Sequence, residues 1–324
     1  MSALLEVRNL RVEFATRHGT LRAIDDVSFE VAPGEVLGVV GESGAGKSLT
    51  GSAVLGLLEP PARVGAGEIR LDGRRIDDLP ASELRALRGR RIGAIFQDPL
   101  TALNPLFTIG DQIEETILAH LPVSPREARE RTRSLLAEVG IPAPERRMEQ
   151  YPHQLSGGMR QRVVIALALC AEPRLLIADE PTTALDVSTQ AQIIGLMKKI
   201  TGAHGAAVML ITHDMGVIAE TADRVAVLYA GRLVELGPVR DVIHAPKHPY
   251  TAGLMHAIPR LGALGDRLEQ IDGSMPRLDA IPTGCAFHPR CPRAFERCRR
   301  ERPAALALGS HRAACWLQDA DVPG

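Results

Sequence analysis

Apolar residues recur between polar ones at Leu5, Val7, Leu10, Val12 and Phe14, and again at Val27, Phe29 and Val31, with Gly19 between the two sets. Alternation places one face of an extended chain in a core, so the pattern predicts β-strands joined by a loop. The turn residues Pro33-Gly34-Glu35 end the second set. Val36-Leu37-Gly38-Val39-Val40 is continuously apolar, as suits a strand buried on both faces. Further strands are predicted at residues 92–96, 175–178, 208–212 and 225–229, with helical segments between several of them. That interleaving is the α/β pattern built on a mainly parallel sheet.

Residues 99–170 differ in character. They lack β-branched runs and are rich in helix formers, for example over 125–139, which predicts a helical subdomain inserted into the sheet domain. After Gly237, Pro, His and Arg become frequent and periodicity fades, so a main domain over 1–237 is followed by an extension over 238–324. The 38 Lys and Arg nearly balance the 39 Asp and Glu, so no global charge argues for nucleic acid. The longest strictly apolar run, residues 163–171, is far too short to span a bilayer, and the first residues show no export signal. Cys170 stands alone in an apolar helix and reads as a small core residue; the other four cysteines all follow Ile281.

Candidate chemistry lies on these elements. Gly41-Glu42-Ser43-Gly44-Ala45-Gly46-Lys47-Ser48 follows a strand and opens a helix predicted over 48–58, the context that makes this spacing a P-loop. Its glycines let the backbone wrap phosphates, Lys47 reaches the β- and γ-oxygens, and Ser48 ligates Mg²⁺. Leu175-Leu176-Ile177-Ala178 runs into Asp179-Glu180: Asp179 suits a Mg²⁺ contact, and Glu180 can polarise an attacking water. Leu155-Ser156-Gly157-Gly158-Met159-Arg160-Gln161-Arg162 puts a Ser and two Gly before a helix, a second anion-reading device. Two such devices for one nucleotide suggest a site shared between two subunits.

In this order, P-loop, residues 155–162, Asp179-Glu180 and Ala184-Leu185-Asp186, the chain resembles the ATP-binding cassette (ABC) ATPases over roughly residues 4–237. The resemblance implies a RecA-like P-loop core with an antiparallel β subdomain and an inserted helical subdomain. It implies ATP and Mg²⁺ as ligands, with Gly41, Ser43, Gly44, Gly46, Lys47, Ser48 and Leu49 around the phosphates. Ser156, Gly157, Gly158 and Gln161 would face the ATP of a partner cassette, and Asp186 would lie at the seam. Gln97 in Phe96-Gln97-Asp98-Pro99 looks like the glutamine that touches Mg²⁺ and water and reports nucleotide state to a membrane partner. His213 looks like the switch histidine on the γ-phosphate, Glu180 like the catalytic base, and Phe14 is the candidate for stacking on adenine.

Residues 96–105, Tyr151-Pro152-His153-Gln154 and His248-Pro249-Tyr250-Thr251-Ala252-Gly253-Leu254 are similar to bacterial oligopeptide/dipeptide importer ATPases. Nickel and glutathione importers share these features, and a non-transport ABC ATPase is a further alternative. The importer reading implies two transmembrane permeases, a second and non-identical ATP-binding subunit, an external substrate-binding protein and a peripheral place on the cytoplasmic face of the membrane.

Cys285, Cys291, Cys298 and Cys315 are separated by five, six and sixteen residues, unlike the knuckles of common zinc sites or the spacings of common ferredoxins. Spacing alone leaves structural thiols and a metal site both open. Phe287, Phe295 and Trp316 are interleaved with the cysteines, and Arg290, Arg293, Arg297, Arg299, Arg300 and Arg302 crowd the same segment. The module resembles the extension of some peptide-importer ATPases that carries a [4Fe–4S] cluster. Zinc is the alternative, with His288 and His311 as spare ligands.

Overall fold

The structure is a computed structural model that describes residues 2–17, 19–182, 186–257 and 271–319. The chain forms two compact units. One is built from Val31–Glu35 and Asp78–Leu210 with the first residues of the chain; the other takes Glu6–Glu30, Val36–Asp77 and the described chain from Ile211 onward.

In the first unit, strands Ile92–Ile95 and Leu175–Asp179 run parallel with Ile92 opposite Leu175 and Ile95 opposite Ala178, and Ala207–Ile211 is next in order. Leu175 to Ala178 and all five residues of Ala207–Ile211 are buried, as their unbroken apolar character predicts. Residues 99–170 hold the helices Pro99–Ala102, Ile109–His120, Pro125–Glu138, Pro144–Met148 and Gly157–Leu169. Ile109, Ile113 and Ile117 recur at four-residue spacing on one face, and all three are fully buried. Thr108 and Ser124 cap two of these helices by accepting the Asp111 and Glu127 N–H groups at 3.2 Å each. Pro125, at the first helical position, needs no donor there.

The second unit carries a four-stranded sheet in which Leu5–Thr16 lies between Gly19–Val31 and Ala62–Leu71, with Arg74–Arg75 at the edge. Its other strands follow the order Leu306–Leu308, His311–Ala313, Arg232–Pro238, Arg224–Tyr229 and Val36–Val40. Val36–Val40 is parallel to Arg224–Tyr229, whereas the outer pairings are antiparallel. The sequence pattern missed Ala62–Leu71, where Gly65 and Gly67 interrupt alternation, and the short pair at 306–313, which is too brief to show a period.

The extension is therefore knitted into the sheet, and a buried carboxylate holds the join. Glu235, 1% exposed, accepts the N–H of Lys247 at 2.7 Å, the N–H of His248 at 3.0 Å and the Nε2 hydrogen of His311 at 2.6 Å. Three donors compensate the loss of water around a buried charge. Beside it, Tyr229 meets Tyr250 and Phe287 edge-on at 4.7 and 5.2 Å between ring centroids. Each such aromatic pair contributes about 1 kcal/mol beyond its buried area.

His248 caps the helix Pro249–His256: its Nδ1 accepts the Tyr250 N–H at 3.1 Å, which requires that nitrogen to be unprotonated. Burial pushes the ring from 6.5 down to about 3. Below pH 6.5 the unfolded chain gains a proton here that the folded chain does not bind until about pH 3, so stability is lost as pH falls through that window. Denaturant midpoints compared between pH 7 and 5 should fall less in a His248→Asn variant, which keeps the cap, than in the parent. The difference should reach up to about 1.4 kcal/mol per pH unit; equal slopes would mean that this ring titrates normally.

Candidate functional site

Within the second unit, Val36–Val40 delivers the chain into the loop 41–48, and the helix Lys47–Leu55 leaves it. At Gly41 the backbone has φ 152°, and a Cβ there would stand 2.3 Å from the Leu228 carbonyl oxygen. Only glycine fits. Gly46, in a left-handed conformation at φ 101°, precedes the helix and makes no side-chain cap to it. The Lys47 ammonium, on a residue 6% exposed, donates to the carbonyls of Gly41 at 2.8 Å and Glu42 at 3.1 Å. Ser43, Gly44 and Ser48 are exposed, and Leu49 is half-buried. Loop carbonyls thus hold a cation whose chemistry suits phosphate oxygens.

His213 lies in the same unit, exposed, one residue beyond Thr212. The Thr212 N–H donates to the Val39 carbonyl at 3.1 Å, two residues before the loop begins, so His213 leaves the strands at the loop's end. The next residue, Asp214, caps Met215–Thr221 by accepting the Gly216 N–H at 2.8 Å, which fixes the turn that carries the imidazole. Phe14 is half-buried near the end of Leu5–Thr16.

In the first unit, parallel register sends two chain ends out together. Gln97 Nε2 donates to Glu180 Oε2 at 3.2 Å, just past strands Ile92–Ile95 and Leu175–Asp179. Glu180 adopts φ 47°, a conformation that costs an L-residue roughly 1–2 kcal/mol and that clusters at functional sites. Asp179 is half-buried at the end of its strand.

Ser156 caps the helix Gly157–Leu169, and its hydroxyl accepts the Met159 N–H at a long 3.4 Å. Ser156 and Gly157 are exposed, so the end of this helix is open to a ligand. Gln161 is 1% exposed, with Nε2 lacking a hydrogen-bond partner. Asp186 caps Val187–His204 by accepting the Thr189 N–H at 3.0 Å. A Cβ on Gly158 would come within 3.0 Å of Thr189 Cγ2, so that glycine lets the two helix starts approach. Thr183, Ala184 and Leu185, before Asp186, lie outside the described residues.

The four late cysteines share one small cavity with Phe287, His288 and Trp316. Gly284, at φ 70°, allows it: a Cβ there would stand 2.4 Å from the Cys298 carbonyl, which accepts the Cys285 N–H at 2.8 Å. Arg297 stacks 3.5 Å over the Trp316 ring and pairs with Glu301 at 3.0 Å, which braces the module from outside. Burial first, then neighbouring thiols, push Cys315 up to about 12 and Cys285 above its ordinary range. Cys170 is buried elsewhere, as a lone core thiol should be. Among the described residues, no three His, Cys, Asp or Glu side chains are gathered closely enough to hold a single metal ion. The four thiols line one cavity, but four arginines of the same segment are drawn into ion pairs, Arg290 with Glu42, Arg297 with Glu301, Arg300 with Glu296 and Arg302 with Asp25, and so form no free basic rim for a bound group.

Two residues were not foreseen. Tyr250 and Arg290, far along the chain, both contact Glu42 of the loop 41–48. No sequence spacing signals a contact across more than two hundred positions.

Comparison with known proteins follows these features closely. Residues 24–183 match the family described as ABC transporter, and residues 234–298 match the oligopeptide/dipeptide transporter C-terminal region. The chain is 50% identical to the dipeptide transport ATP-binding protein DppD of Bacillus subtilis (strain 168), over 98% of this chain and 96% of that one. It is 47% identical to the oligopeptide transport ATP-binding protein OppD of Salmonella typhimurium (strain LT2), over 97% and 94% of the two chains. Among solved structures, the dimeric post-hydrolysis state of the ATP-binding cassette MJ0796 bound to ADP and Pi is similar at 30% identity. Its TM-score is 0.65, covering 73% of this chain and 99% of the other.

Proposed function

The chain belongs to the ABC transporter ATPases, in the group with an oligopeptide/dipeptide transporter C-terminal region, and from that premise we propose that it energises the import of di- and oligopeptides. ATP hydrolysis is the activity of this family. The loop 41–48, with Lys47 held on its own carbonyls, is the observation that carries the reading.

Gly41, Ser43, Gly44, Gly46, Lys47, Ser48 and Leu49 bind the phosphates, and Phe14 stacks on the adenine. Ser48, Gln97 and Asp179 are the residues that would hold Mg²⁺, which would supply neutralisation of phosphate charge. Glu180 accepts the proton of the attacking water, Gln97 orients that water, and His213 hydrogen-bonds the γ-phosphate. The Gln97–Glu180 contact supports a common task for these two. Ser156, Gly157 and Gly158 act in trans on the ATP of a second, non-identical cassette, with Asp186 at the seam, whereas Gln161, expected there too, is 1% exposed and does not face that ATP. Two phosphate-reading devices on one chain favour this division.

No helix among the described residues is long and apolar enough to cross a membrane; the permease subunits are what membership of an importer family implies. Phe96, Leu106 and Phe107, at and just beyond the Gln97 turn, are 45, 79 and 49% exposed and supply an apolar surface for such partners. On this reading the subunit works peripherally on the cytoplasmic face, with two permeases and an external binding protein, and the binding protein sets the substrate. Nickel or glutathione in that binding protein would give the same cassette a different cargo.

Cys285, Cys291, Cys298 and Cys315 are the residues that would hold a [4Fe–4S] cluster, which would staple the extension in place of a larger core. The shared cavity of the four thiols supports this.

In the assembled transporter, Glu180→Gln should lower ATP turnover by about a hundredfold or more while an ATP-bound cassette dimer persists on size exclusion. Turnover near the parent rate would remove Glu180 from the role of base. Anaerobically purified protein should be brown, with about four irons and four sulfides per chain. A colourless preparation with one zinc per chain would overturn the cluster.

A further inference from the structure

Glu42 occupies a variable position of the loop 41–48, where the motif itself sets no residue type. Three of its groups are nevertheless held. Its N–H donates to the Tyr250 hydroxyl at 2.8 Å, its carboxylate accepts from Arg290 Nη1 at 2.9 Å, and its carbonyl accepts from Lys47 Nζ at 3.1 Å. The first two partners belong to the extension, 208 and 248 positions further along the chain.

Both partners are rigidly placed. Tyr250 is 0% exposed, wedged against Tyr229 and Phe287 with ring centroids 4.7 and 5.4 Å away. The Arg290 side chain is 8% exposed. Its Nε donates to the Asp272 carbonyl at 2.8 Å, and its Nη2 donates to the carbonyls of Ile271 and Gly273 at 3.3 and 3.4 Å. The Glu42 carboxylate stays 27% exposed, so the pair keeps its geometry through the buried guanidinium, whose other donors are satisfied in this way. The guanidinium also lies 5.9 Å from the ring centres of Tyr229 and Phe287. Met275, in the same stretch, is the side chain that a Cβ on Gly44 would approach, at 3.9 Å.

From this we infer that Tyr250 and Arg290 are positioning residues for nucleotide binding, acting through Glu42 on the loop that Lys47 serves. Lys47 rests on the carbonyls of Gly41 and Glu42, so fixing Glu42 fixes the platform from which the ammonium reaches a phosphate. A loop already ordered before ATP arrives loses less conformational entropy on binding. The extension thereby sets the affinity of the site without touching the nucleotide. This rests on the loop 41–48 being the nucleotide loop.

The test uses the full-length chain, with MgATP and MgADP affinities measured by calorimetry alongside melting temperature. Tyr250→Phe removes the hydroxyl that accepts the Glu42 N–H, and Arg290→Lys keeps charge but loses the fork. Each should weaken MgATP binding about three- to tenfold. Arg290→Ala should weaken it further, and adding Glu42→Gln to Arg290→Ala should cost little more, because both act through one contact. In the assembled transporter, KM for ATP should rise while kcat stays within about twofold. Folded variants that melt lower yet bind MgATP with parent affinity would overturn the proposal and leave these residues a stability role alone. Lys47→Ala is the control: if it too leaves affinity unchanged, the assignment of the loop itself fails.

Discussion

Contact between Gly41 and the carbonyl of Leu228 is the constraint on which the site depends. Val36–Val40 and Arg224–Tyr229 run parallel with Val40 opposite Val227, so the chain turns into the loop directly beside Leu228. With 2.3 Å available to a Cβ, no other residue lets the backbone curl back toward the start of the helix Lys47–Leu55. The same strand ends in Tyr229, whose ring supports Tyr250 and Phe287. Phosphate loop, extension and cysteine module therefore take their positions from one buried strand. The extension is part of the ATP-binding unit rather than an appendage to it.

The first unit shows a matching economy. Parallel register brings Gln97 and Glu180 out at one end of paired strands, while small residues at 157 and 158 open the helix that Ser156 caps. The proposed function gives both sets a role on ATP, and Glu180 takes a left-handed backbone, as Asn9, Asp26, Asp72, Ala143, Glu172 and Ala230 also do. The exposed Phe96 directly precedes Gln97, and the exposed Leu106 and Phe107 come later in the same segment.

Much of this was legible in the sequence because the signals are local. Continuous apolar runs marked the strands at 36–40, 175–179 and 207–211, and glycine spacing marked the loop between a strand and a helix. What escaped was long-range. The pair His311–Ala313 with Leu306–Leu308 is three residues a side, and its place beside Arg232–Pro238 is fixed by tertiary pairing and by Glu235, not by any period. Glu235 and its strand Arg232–Pro238 also escaped, since the three donors that hold the carboxylate are brought to it by folding. Glu42 with Tyr250 and Arg290 is the same case, since no pattern along a chain reports a contact made by folding.

The proposed shared site, with ATP hydrolysed where a second cassette completes it and Ser156 given in trans, stands or falls on one substitution. Ser156→Arg in the assembled transporter tests it most directly, with MgATP affinity of the isolated chain measured in parallel. Hydrolysis should fall by about a hundredfold or more, the scale of a lost transition-state contact, while the isolated chain binds MgATP as the parent does. Hydrolysis near the parent rate, or an equal loss of binding by the isolated chain, would contradict a shared site.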